Sequence, residues 1–326
     1  MTAWERVAAV VDNPLIIKDG VSRMRTWRAP LVLTLYLGLL GTFGYAIFIL
    51  QVLLMTSNGQ VGAAQVGATV FIVLAFIQIS LIGLFAPALA AGAISGERER
   101  QTLDVLLVSR VSAVGIVWGK LVASVAFMLL LILAALPLFA AVFLFGGIDA
   151  EQFLITQLLT VTTAVSLGAM SLLLSAAFRR TLPSMVASYG AAFAGLVGTL
   201  VVGWLLTLVI WQREGTLGQA VGGDVHPFVF ANPLYALFIA LTSANGAPMA
   251  LGKTIPLFFM VVGPGGDAGP LLEPWQATLL VQLAVIVLSV LGAVRLVRGR
   301  RVAQPRARVE PDEPDNLEPV GEVIDG

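Results

Sequence analysis

The chain has no cysteine in its 326 residues, a single histidine, and charged side chains at only 12% of positions. Each shortage removes a class of chemistry. Without cysteine there is no disulfide, no thiolate metal site and no cysteine nucleophile. His226 alone cannot build a usual zinc site. No Asp, Glu, Lys or Arg lies deep in the hydrophobic runs, where ion-coupled carriers place their relays. No Ser–His pair or carboxylate pair falls in a run either. Asp149, Glu151, Glu214, Asp224, Asp267 and Glu273 are scattered between runs and read as solvated loop groups. An enzyme is therefore not expected, and no metal site. Net charge is zero, so no nucleic-acid partner is indicated. A soluble domain carries about 25% charged residues. With 58% hydrophobic residues and a mean hydropathy of +0.93, this chain reads as an integral membrane protein.

What is present is a set of long apolar runs. A bilayer core of about 30 Å needs roughly 20 apolar residues per helix. Six runs qualify, near 30–54, 67–94, 113–145, 152–177, 184–211 and 276–294. Backbone groups in lipid must be satisfied internally, so each run is predicted to be a helix. Pro30 suits a first helical turn, and Pro87 and Pro137 are expected to kink their helices. Residues 1–29 lack the apolar core and cleavage site of a signal peptide, so the first run is expected to be an uncleaved anchor.

The basic residues set the orientation. With the N-terminus in the cytoplasm, all of the 19 Lys and Arg except Arg213 and Lys253 fall on the cytoplasmic side. Both termini are then inside, in a plasma (inner) membrane. The segment 212–275 becomes the one long external connection. Its apolar stretches, 228–243 and 255–262, are short for a crossing. They read as re-entrant or interfacial pieces, or as an extra helix pair, and charge does not separate these readings. Arg23, Arg25 and Arg28 before the first run, and Arg298, Arg300 and Arg301 after the last, are expected to lie against anionic headgroups. Residues 309–326 are acidic and Pro-bearing, the composition of a disordered tail.

One stretch breaks the apolar pattern. Residues 96–112 read GERERQTLDVLLVSRVS, between two oily runs. A positive-inside loop accounts for Arg98, Arg100 and Arg110 only. Thr102 is a reasonable N-cap with Asp104 in the turn after it. Leu103, Leu106, Leu107 and Val111 then recur near a helical period. The residues alone fit either an amphipathic helix that docks into a partner's groove or an interfacial loop.

The stretch resembles the signature of ABC-2 type transporter permeases. There the second transmembrane helix runs into E-x-E-x-G-T-L-x-x-L-L, a T-P-hydrophobic-S turn follows, and a G-K pair opens the third helix. This chain has Glu97, Glu99, Thr102, Leu103, Leu106 and Leu107, then Ser109, Val111 and Ser112, then Gly119 and Lys120. Gln101 stands in place of the Gly, and Arg110 in place of the Pro. Residues 13–30 are similar to the family's basic amphipathic elbow. The resemblance implies a membrane subunit, an exporter, that works as a dimer with an identical or sister chain. It implies that each subunit binds a separate cytoplasmic ATPase carrying ATP and Mg, with no cofactor on this chain. It also implies that the 97–120 residues named above form the coupling segment. The alternative class is a non-transporting scaffold that docks a cytosolic protein through 97–112.

The expected architecture is an all-α, six-helix membrane protein with three parts. Residues 1–29 form an amphipathic elbow. Residues 30–294 form the transmembrane domain, with a coupling loop at 95–112 and the insert at 212–275. Residues 295–326 form the tail. APMALGKT (247–254) has relaxed Walker spacing, but no strand and helix frame it and Pro256 follows closely, so it is rejected as a phosphate site. Gln51, Gln78, Ser80, Thr160, Thr162, Thr163, Ser171 and Gln282 are read as interhelical hydrogen-bonding groups. Gly38, Gly41, Gly44, Gly195 and Gly198 are candidates for close helix approach. Nothing in the runs selects a substrate.

Overall fold

The structure, a computed structural model, describes residues 27–58, 62–102, 112–214, 227–242, 260–262, 268–270 and 273–303. The elbow at 1–26, the loop at 103–111, the Walker-like stretch, His226 and the tail from 304 lie outside these residues.

The apolar runs are helices. They are α1 (Arg28–Asn58), α2 (Ala63–Ala90), α4 (Ala113–Phe143), α5 (Ala150–Ala177), α6 (Thr181–Phe193) continuing into α7 (Thr199–Glu214), and α9 (Pro274–Ala303). A short helix, α3 (Ser95–Glu99), follows α2, and another, α8 (Pro233–Thr242), lies in the insert. Six segments are long and apolar enough to cross a membrane, α6 and α7 forming one of them. Pro87 and Pro137 sit inside continuous helices.

Local chemistry sets the ends. Ser112 caps α4, its hydroxyl oxygen accepting the Gly115 N–H at 3.0 Å. At the start of α5 the Gln152 side chain accepts the Asp149 N–H at 3.1 Å. Between α4 and α5 the chain reverses through Gly146 and Gly147, at φ +77° and +85°. A Cβ on Gly147 would lie 1.9 Å from the Ala64 carbonyl oxygen, so only glycine fits.

The long helices pack as an antiparallel bundle in which α5 touches α2, α4, α6, α8 and α9. The main core runs through Tyr36, Phe71, Leu74, Ile79, Met128, Phe139 and Leu159. Phe71 and Phe139 meet edge-on at 5.3 Å. A second core, with Ile94, Ile116, Val117, Leu172, Ala176, Ala293 and Val297, seals the end where α2 finishes. Outward side chains such as Leu182, Val186, Phe193, Leu205 and Leu288 are apolar, which suits lipid.

Two expectations change, those for the helix hydroxyls and for the contact glycines. Most hydroxyls in the helices bond within their own helix: Thr160 to the Thr156 carbonyl, Thr162 to Leu158, Thr163 to Leu159 and Ser80 to Phe76. An i−4 carbonyl is always within reach, so no neighbouring helix is needed. Gln282 does bridge helices, donating to the Thr163 hydroxyl at 2.8 Å. Of the five glycines proposed for close approach, Gly38, Gly41 and Gly195 have nothing within 4 Å, Gly198 touches only its own helix, and Gly44 meets Leu74. Gly44 is the one of the five in tight contact with another helix, a Cβ on it lying 3.0 Å from Leu74, and the other tight contacts fall at Gly67, Gly83, Gly203 and Gly292. Residues 227–242 of the insert form the 3₁₀ turn Pro227–Ala231 followed by α8. Ten residues span about 15 Å, half a crossing, and α8 packs back on α5, α9 and α2. Beyond it, Met260–Val262 pairs antiparallel with Ala268–Pro270 as two short strands.

Candidate functional site: the charged junction after the second helix

The junction begins with serines. After Ala90 the chain turns through residues 91–94 into α3. Ser175, near the end of α5, accepts the N–H groups of both Ile94 and Ser95 at 3.0 Å. Its hydroxyl also meets that of Ser95 at 3.2 Å. Ser184 of α6 donates to the Ala91 carbonyl at 2.7 Å. The turn is buried, so its backbone groups need protein partners, and these hydroxyls supply them.

Charge is then matched to charge. Lys120 lies in α4 with 4% of its surface exposed, and its ammonium pairs with the Glu97 carboxylate. A buried ammonium needs such a partner. Arg98 donates to the carbonyls of Phe178 (2.5 Å) and Ala176 (3.2 Å), at the C-terminal end of α5. That end carries partial negative charge and orphan carbonyls, so a guanidinium suits it. Glu99 does the opposite at the start of α6. Its carboxylate accepts the Thr181 hydroxyl at 2.5 Å and the Thr181 N–H at 2.9 Å. The residue before α6, Arg180, offers no side-chain cap of its own. The Thr181 hydroxyl, and then its amide, hold the exposed Glu99 carboxyl below the usual carboxylate range. Two adjacent residues of opposite sign thus cap two consecutive helices.

The C-terminal end of α3 has its own geometry. The Gln101 N–H donates to the Arg98 carbonyl, and the Thr102 N–H to the Glu97 carbonyl at 2.9 Å. This is a Schellman closure, which places the residue after the cap in the left-handed region. Gln101 sits there at φ +58°. The glycine it replaces in the signature has a physical reason, and glutamine adopts the same turn at some cost. Thr102 closes α3: its hydroxyl donates to the Glu97 carbonyl at 3.1 Å. The helix it was expected to start falls in 103–111, outside the described residues.

The structure therefore brings Glu97 and Lys120 together and sets Gly119 beside them in the buried face of α4. Glu99 and Thr102 lie in the same junction. Leu103, Leu106, Leu107, Arg23 and Arg25 lie outside the described residues. Arg28 opens α1, Arg298 is exposed on α9, and Arg300 and Arg301 fall in its last turn. Arg98, Ser175, Ser184 and Thr181 were not foreseen as site residues. Only Ser112, a serine directly before an apolar run, carried a readable signal. Among its described residues the junction's polar groups hold backbone and one another.

A family model described as ABC-2 family transporter protein matches residues 14–299. The chain belongs to this family. The match takes in all six spanning segments and the junction, so the fold is that of an ABC-2 membrane transport subunit. No curated protein matches the chain. In this ABC-2 permease the signature residues Glu97, Glu99 and Lys120 bind within the chain. They fix the chain that leads into residues 103–111, the segment containing Leu103, Leu106 and Leu107.

Proposed function

We propose that this permease exports its substrate with ATP hydrolysed by a separate cytoplasmic chain that holds ATP and Mg. It works as a dimer with an identical or sister permease in the plasma (inner) membrane, both termini in the cytoplasm. The observation that carries the reading is the family match across the six spans and the junction. The loop 97–112 receives the ATPase motion. Its leucines, Leu103, Leu106 and Leu107, meet the partner. Its charged root passes displacement directly to α5 and α6 through Arg98 and Glu99, and to α4 through Glu97 and Lys120. The basic residues flanking the bundle hold it against anionic headgroups.

Changing Leu106→Asp together with Leu107→Asp tests the loop. The expected outcome is loss of the copurifying ATPase with membrane insertion intact, because charge on an apolar docking face is not accommodated. Unchanged binding would contradict the coupling assignment. A partner with no nucleotide site would favour the scaffold reading instead.

A further inference from the structure

The fifth spanning segment is not a uniform helix. Between α6 and α7 residues Ala194–Gly198 form a π turn. The Thr199 N–H reaches the Ala194 carbonyl, five residues back, where an α-helix would take Gly195. In a membrane span the carbonyls displaced by such a turn need substitute donors. Two side chains supply them. The Thr199 hydroxyl donates to the Gly195 carbonyl at 2.6 Å. Asn232, fully buried, donates through Nδ2 to the Leu196 carbonyl at 2.6 Å and to the Thr199 hydroxyl at 2.7 Å.

Asn232 belongs to the insert, not to the span. Its other amide atom, Oδ1, accepts the N–H groups of Leu234 and Tyr235 at 2.8 and 3.1 Å and so caps α8. The far end of α8 is held as well. Gln152, in the first turn of α5, donates to the Leu241 carbonyl at 3.2 Å and the Ala240 carbonyl at 3.4 Å. The 3₁₀ turn before Asn232 lies so close to α7 that a Cβ on Gly203 would come within 2.5 Å of Val229. One short helix is thus fastened between the start of α5 and the irregular turn of the fifth span.

We infer that Asn232 is a latch that holds the fifth span in its π register, and that the span has a second, α-helical register available when the latch opens. In that register the Thr199 N–H returns to Gly195, and α7 turns by about 100° and shifts by about 1.5 Å relative to α6. Release of α8 from Leu196 is the event that permits the change. The role of this change in transport rests on the permease reading, whereas the register itself does not.

The absence of native cysteine makes the test direct. Spin labels go on cysteines introduced at Leu154 of α5 and Leu205 of α7, both exposed. Distances are measured by pulsed electron resonance on the full chain in lipid nanodiscs. Asn232→Asp keeps the Oδ1 cap of α8 but loses the amide donor. It is measured over a rising pH series, because burial raises the carboxyl pKa and the donor is lost only where the side chain ionises. It should populate a second discrete distance, shifting the register equilibrium by about 5- to 150-fold. Asn232→Ala should show the same second distance together with a less stable α8. A distribution for Asn232→Asp that matches the wild type, or that only broadens around one distance, would overturn the latch. Either result leaves the permease reading intact, since the ATPase is absent from the experiment.

Discussion

The two ends of the bundle solve the same problem with different chemistry. At each end a chain reversal leaves backbone groups that lipid cannot satisfy. At the charged end the solution is ionic: Arg98 on the carbonyls of α5, Glu99 on the first amide of α6, and Glu97 on Lys120. At the opposite end it is neutral and steric: Gly147 against Ala64, Gly203 against Val229, and the amides of Gln152 and Asn232 on backbone carbonyls. Glu99 is exposed at that end, whereas Lys120 is buried there and keeps its charge by pairing with Glu97. Amides and glycines suit an end folded back into the bundle. The lesson is that the junction's charges are structural anchors as well as features of a loop surface.

The sharpest break in that comparison is at the neutral end. Gly147→Ala sets a Cβ into the Ala64 carbonyl at a positive φ, and should cost about 4 kcal/mol. Thermal unfolding in detergent would read it as a large fall in Tm. At the charged end Lys120→Ala should cost about 3 kcal/mol by leaving Glu97 unpaired, and Glu97→Leu with Lys120→Met should recover most of it. If the double variant is no better than the single one, the pair is not the unit that matters. Ser175→Ala removes the acceptor for two buried N–H groups and should cost about 2 kcal/mol. Gln101→Gly should do the reverse, stabilising by about 1 kcal/mol because glycine adopts φ +58° without strain. The smallest effect is a pH dependence. The Glu99 carboxyl is held low in the folded state, so its contribution is full above the carboxylate range. That contribution is lost as pH falls through the lowered folded value, beneath the ordinary glutamate range. Wild type and Glu99→Gln should therefore converge in Tm at low pH.

Much of this fold was readable from hydropathy alone. The runs 113–145 and 152–177 became α4 and α5 with ends displaced by two residues at most, because length and composition decide a membrane helix. The π turn was not readable. Gly195 and Gly198 looked like contact glycines, yet they sit in a widened turn whose donors come from Asn232 and Thr199. The junction was half readable. Glu97, Glu99 and Lys120 stood out as charges among apolar residues and as a family signature. That Arg98 and Glu99 cap α5 and α6 depends on residues about 80 positions away, and no local period reports such a pairing. Thr102 shows a role the sequence did not display: its hydroxyl and N–H close α3 on the Glu97 carbonyl. A threonine before an apolar run reads as an N-cap, and a bond back to the preceding helix leaves no local pattern; the helix expected after it lies outside the described residues.

The most direct test is to purify the tagged permease from its native host in mild detergent and to identify and assay what comes with it. The expected result is a stoichiometric soluble chain with a genuine P-loop and ATP hydrolysis that follows the complex. A pure permease with no nucleotide-binding chain, or with a partner that lacks a nucleotide site, would contradict transport driven through this junction.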